Sequence, residues 1–198
     1  MIIHKPAGLL TVPGKTQDLQ DCLINRLIQI EPNTLLIHRL DRDTSGLLVF
    51  GLSRLGQKSI SRQFQERQTD KIYHALVAGT LEGEGTIDVP VIYDPSRPPL
   101  HIAAPSHDKP AITQWQALEH FEIDGQPVTR VKLMPVTGRS HQLRVHMQYL
   151  GYPIIGDTLY ASAEQQTLMP RLCLHAHYLQ FQHPVTEQNI EFHCPTPF

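Results

Sequence analysis

The most reactive stretch of the chain is His38-Arg39-Leu40-Asp41-Arg42-Asp43-Thr44-Ser45-Gly46, which runs straight into an apolar segment. Asp41 sits among Arg39, Arg42 and His38, and neighbouring cations favour an ionised carboxylate. Such an aspartate can act as a nucleophile or as a base. The same run also reads as a polar turn ahead of a strand, and residue types alone leave both readings standing. A second dense run is Thr137-Gly138-Arg139-Ser140-His141-Gln142-Leu143-Arg144-Val145-His146. Gly138 permits an unusual backbone, and Arg139 lies by the N-terminus of an expected helix, where anions bind. With 12 histidines in the chain, zinc chemistry is a further possibility. His141 and His146 are five apart, however, which is not the spacing that puts two histidines on one helical face. No ligand set including His175 and His177 has matching spacing, and neither 141–146 nor 175–177 holds a carboxylate. The spacing therefore speaks against a metal site.

The elements around these runs can be read from periodicity. Residues 46–52 form a short apolar run of strand length. Ser53 is an N-cap for an expected helix over 53–68, in which Arg54, Lys58 and Arg62 recur every four residues along one face. That face reads either as solvated surface or as a stripe of phosphate contacts. Residues 71–79 and 128–134 are rich in β-formers and end at Gly or Pro, and 179–181 with 190–192 form an expected late strand pair. Further helices are expected at about 18–30 and 140–150. The latter has Leu143, Met147 and Leu150 as its apolar stripe and Gly151 just past its end. Arg144 falls at the border of that stripe, where a charge can face a cleft. The Pro-rich stretches 94–99 and 101–110 read as loops. Strands and helices in this order indicate an α+β fold on a mixed, mostly antiparallel sheet.

Composition sets the outer bounds. A chain of 198 residues fits one domain, and 40% hydrophobic with 18% charged residues excludes wholesale disorder. No apolar run approaches the roughly 18–20 residues that span a bilayer. Cys22, Cys173 and Cys194 are odd in number and widely spaced, so no disulfide framework or CxxC zinc pair is expected. The N-terminus lacks a charged segment followed by an apolar one, and a cytoplasmic location is expected. Net charge is −2, which speaks against a broadly basic surface. The charge is uneven all the same. Residues 39–71 carry a net +3 and residues 80–125 a net −6, so a local basic surface is allowed.

On these residues the chain resembles the RluA-type pseudouridine synthase family, which converts uridine to pseudouridine in ribosomal and transfer RNA. Four segments match in order: His4-Lys5-Pro6-Ala7-Gly8-Leu9-Leu10, HRLDRDTSGLLVF at 38–50, Lys71-Ile72-Tyr73, and TGRSHQLRVHMQYLGYPIIGD at 137–157. Lesser matches are LYAS at 159–162 and RLCLHA at 171–176, so the resemblance runs from about residue 2 to residue 197. The HRLDxxTSG block is specific enough to overturn the polar-turn reading of Asp41. The resemblance implies that Asp41 is the essential aspartate acting on a flipped uridine. It implies that Tyr73 stacks near the target base and assists proton removal from C5. Arg144 would pair with the aspartate and hold it ionised and oriented, and Arg39 would help displace the target base. The implied fold is a single pseudouridine-synthase-type catalytic domain over residues 1–198, with a central mixed sheet, flanking helices and no metal or cofactor. Extruding a base costs a few kcal/mol, which calls for an electropositive cleft with an aromatic side chain.

Family members carry an edge strand before the HKPAG block, and only Met1, Ile2 and Ile3 stand there, so that strand is expected to be truncated. No S4-like RNA-binding domain is expected either. Recognition of RNA would then fall to Arg39, Arg54, Lys58, Arg62, Arg97 and Arg139. The block from Arg97 through Lys109-Pro110-Ala111 to Trp115 resembles the dual-specificity branch, which modifies a tRNA anticodon stem-loop and a large-subunit rRNA hairpin. Trp115 itself reads as core packing or as a stacking platform. Two other classes of function fit less well. One is a catalytically idle RNA-binding or RNA-folding module, against which the joint presence of Asp41, Tyr73 and Arg144 speaks. The other is a zinc hydrolase built on the histidines. A monomer is expected, because nothing reads as a coiled coil or a long exposed apolar face.

Overall fold

Eleven strands and four helices follow one another along the chain. The first are β1 (Ile2–Lys5), α1 (Leu23–Ile30), β2 (Leu35–Leu36), β3 (Ser45–Gly51), α2 (Arg54–Gln65) and β4 (Asp70–Ala78). Next come β5 (Glu84–Asp88), β6 (Val91–Tyr93), β7 (His101–Ala103), β8 (Ile112–Ile123) and β9 (Gln126–Pro135). The chain closes with α3 (Gln142–Tyr149), α4 (Ala163–Thr167), β10 (Leu174–Gln182) and β11 (Asn189–His193). The computed structural model describes residues 1–198, which divide into two compact units. The first comprises Met1–Lys71 with His175–Pro197, the second Ile72–Leu174 with Phe198.

In the first unit β3 is the central strand and is buried at every position. It pairs antiparallel with β1 and β2 and parallel with β10, while β11 returns antiparallel along β10. The sheet is therefore mixed. The apolar run expected at 46–52 is this strand, and its solid apolar character follows from neighbours on both sides. Gly46 has φ +113, and a Cβ there would overlap the carbonyl oxygen of Ala176 on β10. Only glycine allows that close approach. Leu47, Val49, Ile60, Leu179 and Phe181 form the core between sheet and α2. Ser53 caps α2 as expected, its Oγ accepting from the Gly56 N–H at 3.1 Å, and the helix ends at Gln65, three residues short of the expected end. The helix expected over 18–30 is split into a 3₁₀ turn at Gln17–Leu19 and α1.

In the second unit β4, β9, β8 and β5 form an antiparallel run, with a register shift in β8 between Ala117 and Glu119. Ala75, Val77, Val131 and Leu133 from the strands pack with Leu143, Met147 and Ile154. Trp115 is buried in this core, so of its two readings packing is the one realised. Two expectations need correction here. The stretch 101–110 is not loop throughout, because His101–Ala103 pairs with Val91–Tyr93 as a two-stranded hairpin. And α3 is not a half-exposed amphipathic helix: Gln142 through Met147 are all buried. Arg144 among them is only 3% exposed.

Candidate active site

Asp41 lies half-buried on the segment between β2 and β3. Its two neighbours in sequence are both tied down. The ammonium of Lys5, fully buried, donates to the carbonyls of Pro6, Leu9 and Arg42, each at 2.8 Å. Thr11 Oγ1 donates to the Leu40 carbonyl at 2.7 Å and accepts the Leu40 N–H at 3.2 Å. Backbone bonds on either side thus hold the peptide that carries Asp41, and both come from the segment that starts with the HKPAG block. A buried lysine is stable only when its donors are satisfied, and three carbonyls satisfy this one. Behind the loop, Ser45 Oγ meets His175 Nδ1 at 2.7 Å.

The charges around Asp41 differ from the sequence expectation at one residue. His38 stacks on Phe64 with ring centroids 4.4 Å apart, and its Nε2 accepts the Val49 N–H at 3.2 Å. Burial, and after it the nearby Lys71 ammonium, push its pKa down to about 3. A nitrogen that accepts a backbone N–H cannot also carry a proton, so His38 is neutral and adds no cation beside Asp41. Arg42 turns its Nε to Asp43 at 3.2 Å, and Arg39 is exposed.

The second unit holds the other half of the expected set. Arg144 makes a two-pronged ion pair with Asp157, Nε to Oδ2 at 2.7 Å and Nη2 to Oδ1 at 2.6 Å. Asp157 is fully buried, and its Oδ1 also accepts the N–H groups of Leu159 and Tyr160 at 2.9 and 3.2 Å. The Tyr160 ring lies under the guanidinium, 5.0 Å from its carbon. Two of the five N–H donors of Arg144 therefore go to Asp157, and the planar fork fixes the direction of the rest. The turn before α3 is equally constrained. His141 adopts a left-handed conformation, φ 55° and ψ 12°, with its Nδ1 2.6 Å from Tyr160 Oη. Gln142 accepts from Thr137 Oγ1 and the Arg139 N–H, and donates to the Ile112 carbonyl and Thr113 Oγ1. Tyr73, half-buried on β4 opposite Leu133, packs against the core that contains Leu143 and Met147. His146 is a satisfied core histidine between Thr113 Oγ1 and the Val89 carbonyl, and burial lowers its pKa.

The remaining cations are spread over both units. Arg54, Lys58 and Arg62 lie exposed along α2 in the first, where Arg62 meets Glu66 at 2.7 Å. In the second, Arg97 is engaged by the buried carboxylate of Asp94 at 2.9 Å. Hydrogen bonds from Ser96 and then Arg97 hold that carboxyl below its usual range. Arg139 donates to the Pro110 carbonyl at 3.2 Å. Asp157, Lys5 and Thr11 were not singled out from sequence. Asp157 carries a faint signal, the Gly-Asp that ends the fourth matching segment.

The chain matches the RNA pseudouridylate synthase family model over residues 1–149 and belongs to that family, whose enzymes isomerise uridine to pseudouridine. It is 43% identical to the dual-specificity RNA pseudouridine synthase RluA of Pasteurella multocida (strain Pm70), over all of this chain and 90% of that protein. The protein of the same name from Escherichia coli (strain K12) is 41% identical with the same coverage. Among solved structures, human RNA pseudouridylate synthase domain containing 1 superposes with a TM-score of 0.83 at 33% identity, across 100% of this chain and 80% of that one. No helix is long and apolar enough to cross a membrane.

Proposed function

We propose that the two units work as one catalytic domain, a monomeric cytoplasmic enzyme that isomerises uridines in a tRNA anticodon stem-loop and a large-subunit rRNA hairpin. Asp41, Tyr73 and Arg144 are the catalytic residues of this reading. The Asp41 carboxylate, as nucleophile or base, opens the N1–C1′ bond of a uridine turned out of its stack. The uracil rotates and rejoins the sugar through C5. Tyr73 assists departure of the C5 proton and N1 gains one, so the product is an isomer and no co-reactant is consumed. Arg144 keeps the aspartate ionised and aimed, and Asp157 positions Arg144. Arg39, Arg54, Lys58, Arg62, Arg97 and Arg139 contact the RNA, most of them through phosphate.

The observation that carries this reading is the restraint on both reactive groups. The Asp41 peptide is held at Leu40 and Arg42, and the Arg144 fork is held by a fully buried carboxylate. Such preorganisation is what a reaction without metal or cofactor requires of a protein. The choice of RNAs rests on relatives named as dual-specificity enzymes at 41–43% identity and on the Arg97-to-Trp115 block. Tritium release from RNA labelled at uridine C5 tests it, with an anticodon stem-loop and a large-subunit rRNA hairpin as parallel substrates. Release from both supports dual specificity. Release from only one, or from neither, contradicts it.

A further inference from the structure

We propose that His4, His175 and Cys194 form a binding site for a borderline transition-metal ion of the Zn²⁺ type within the first unit. Strand pairing assembles the three. β1 runs antiparallel to β3 with His4 opposite Leu47, and β10 runs parallel to it with His175 opposite Ser45. Two imidazoles from opposite ends of the chain thereby meet edge to face, with ring centroids 5.5 Å apart. β11 then returns beside β10, and the Cys194 N–H donates to the His177 carbonyl at 2.8 Å, which sets the thiol on the same patch. One donor atom from each residue lies within 4.8 Å of the other two.

The donor chemistry selects the ion. Two imidazoles and a thiolate suit Zn²⁺ and similar ions, while Mg²⁺ and Ca²⁺ want oxygen and find no carboxylate in the set. Zn–N bonds near 2.0–2.1 Å and Zn–S bonds near 2.3 Å put tetrahedral donors roughly 3.3–3.6 Å apart. Closing on an ion therefore takes a movement of about 1 Å, and His4, which is exposed, can make it. His175 is fully buried, and Ser45 Oγ meets its Nδ1 at 2.7 Å. A metal-binding histidine characteristically makes this kind of second bond, and here it assigns Nε2 to the ion. Thiolate ligation releases the thiol proton, so binding proceeds as Cys–SH + Zn²⁺ → Cys–S–Zn⁺ + H⁺. Three protein ligands leave a fourth position for water on the solvent side. Bound metal would cross-link β1, β10 and the segment after β11. Cys22 and Cys173 belong to no such group.

The full chain, stripped with chelator and titrated with Co²⁺ and then Zn²⁺, tests the site without reference to RNA. The expected result is one Co²⁺ per chain, a thiolate-to-cobalt charge-transfer absorption that Zn²⁺ displaces, and a melting temperature raised by Zn²⁺. Cys194→Ser abolishes the absorption. His4→Gln, a change at an exposed side chain, weakens binding at least about tenfold, and Ser45→Ala weakens it about 10–100-fold through the lost outer bond. Absence of the charge-transfer absorption overturns the proposal. So does Zn²⁺ affinity that is unchanged in Cys194→Ser or His4→Gln.

Discussion

Asp157→Asn is the sharpest probe of how Arg144 is held. The wild-type carboxylate takes Arg144 Nε on Oδ2, and Arg144 Nη2 with the Leu159 and Tyr160 N–H groups on Oδ1. An asparagine whose carbonyl oxygen occupies the Oδ1 position keeps the last three bonds, so the local loop stays in place. Its NH₂ then faces the Arg144 Nε–H, donor against donor, and the buried guanidinium loses its counter-charge. Arg144 is 3% exposed and Asp157 fully buried, so water cannot take over. Removing one partner of such a pair costs about 3–5 kcal/mol. For a chain of this size that lowers the melting temperature by about 6–20 °C. Turnover measured well below the new melting temperature should fall about 100-fold, as misplacement of an oriented group by an ångström does, with KM nearly unchanged. Thermal unfolding and tritium release on the same preparation read both quantities. A variant that melts within about 2 °C of wild type refutes the energetic reasoning. A variant that melts low but turns over normally shows Asp157 to be structural and not a positioning residue.

Two further outcomes concern charge and pH. Replacing Arg54, Lys58 and Arg62 together by alanine should weaken RNA binding and cut the slope of log affinity against log salt by up to about 2–3, since each phosphate contact contributes roughly 0.7–0.9. A slope equal to that of wild type removes α2 from the RNA interface. His38 binds a proton at about 3 when folded, against 6.5 in its ordinary state, so between those values the unfolded chain holds the extra proton. Stability then falls as pH falls from about 6.5 towards 3, by up to about 1.4 kcal/mol per pH unit from this residue. Urea unfolding of His38→Gln, whose amide oxygen can still accept from Val49, should show a pH dependence flatter by that amount. Parallel profiles for the two proteins would show that His38 is not held neutral by the fold.

Much of the framework was legible because it obeys simple periodicities. The apolar run at 46–52, the Ser53 cap with its helix, and the late strand pair all appear within a few residues of their expected positions. What escaped did so for physical reasons. β8 buries Thr113 and Trp115 while showing Gln and Glu to solvent, and a threonine facing inward breaks the apolar alternation. The β6–β7 hairpin is masked by the prolines of its turn. α3 defeats an amphipathic reading because Gln142, Arg144 and His146 are buried polar residues, each supplied with partners from distant segments. For the site, the block around Asp41 was visible as a pattern of types, but its restraint was not. Lys5 and Thr11 act through backbone carbonyls 37 and 29 residues away, and no local spacing announces such bonds. Asp157 is a single acid in an apolar stretch, invisible until the fold brings Arg144 to it.

The claim on which the account turns is that one carboxylate performs the isomerisation. Single-turnover tritium release and RNA binding should therefore be measured side by side for wild type and Asp41→Asn, using RNA labelled at uridine C5. The change removes an ionised oxygen from a half-buried side chain and almost no binding surface. The account predicts release by wild type, none by the variant, and nearly equal RNA affinity for both. Release by Asp41→Asn at a rate near wild type would contradict it.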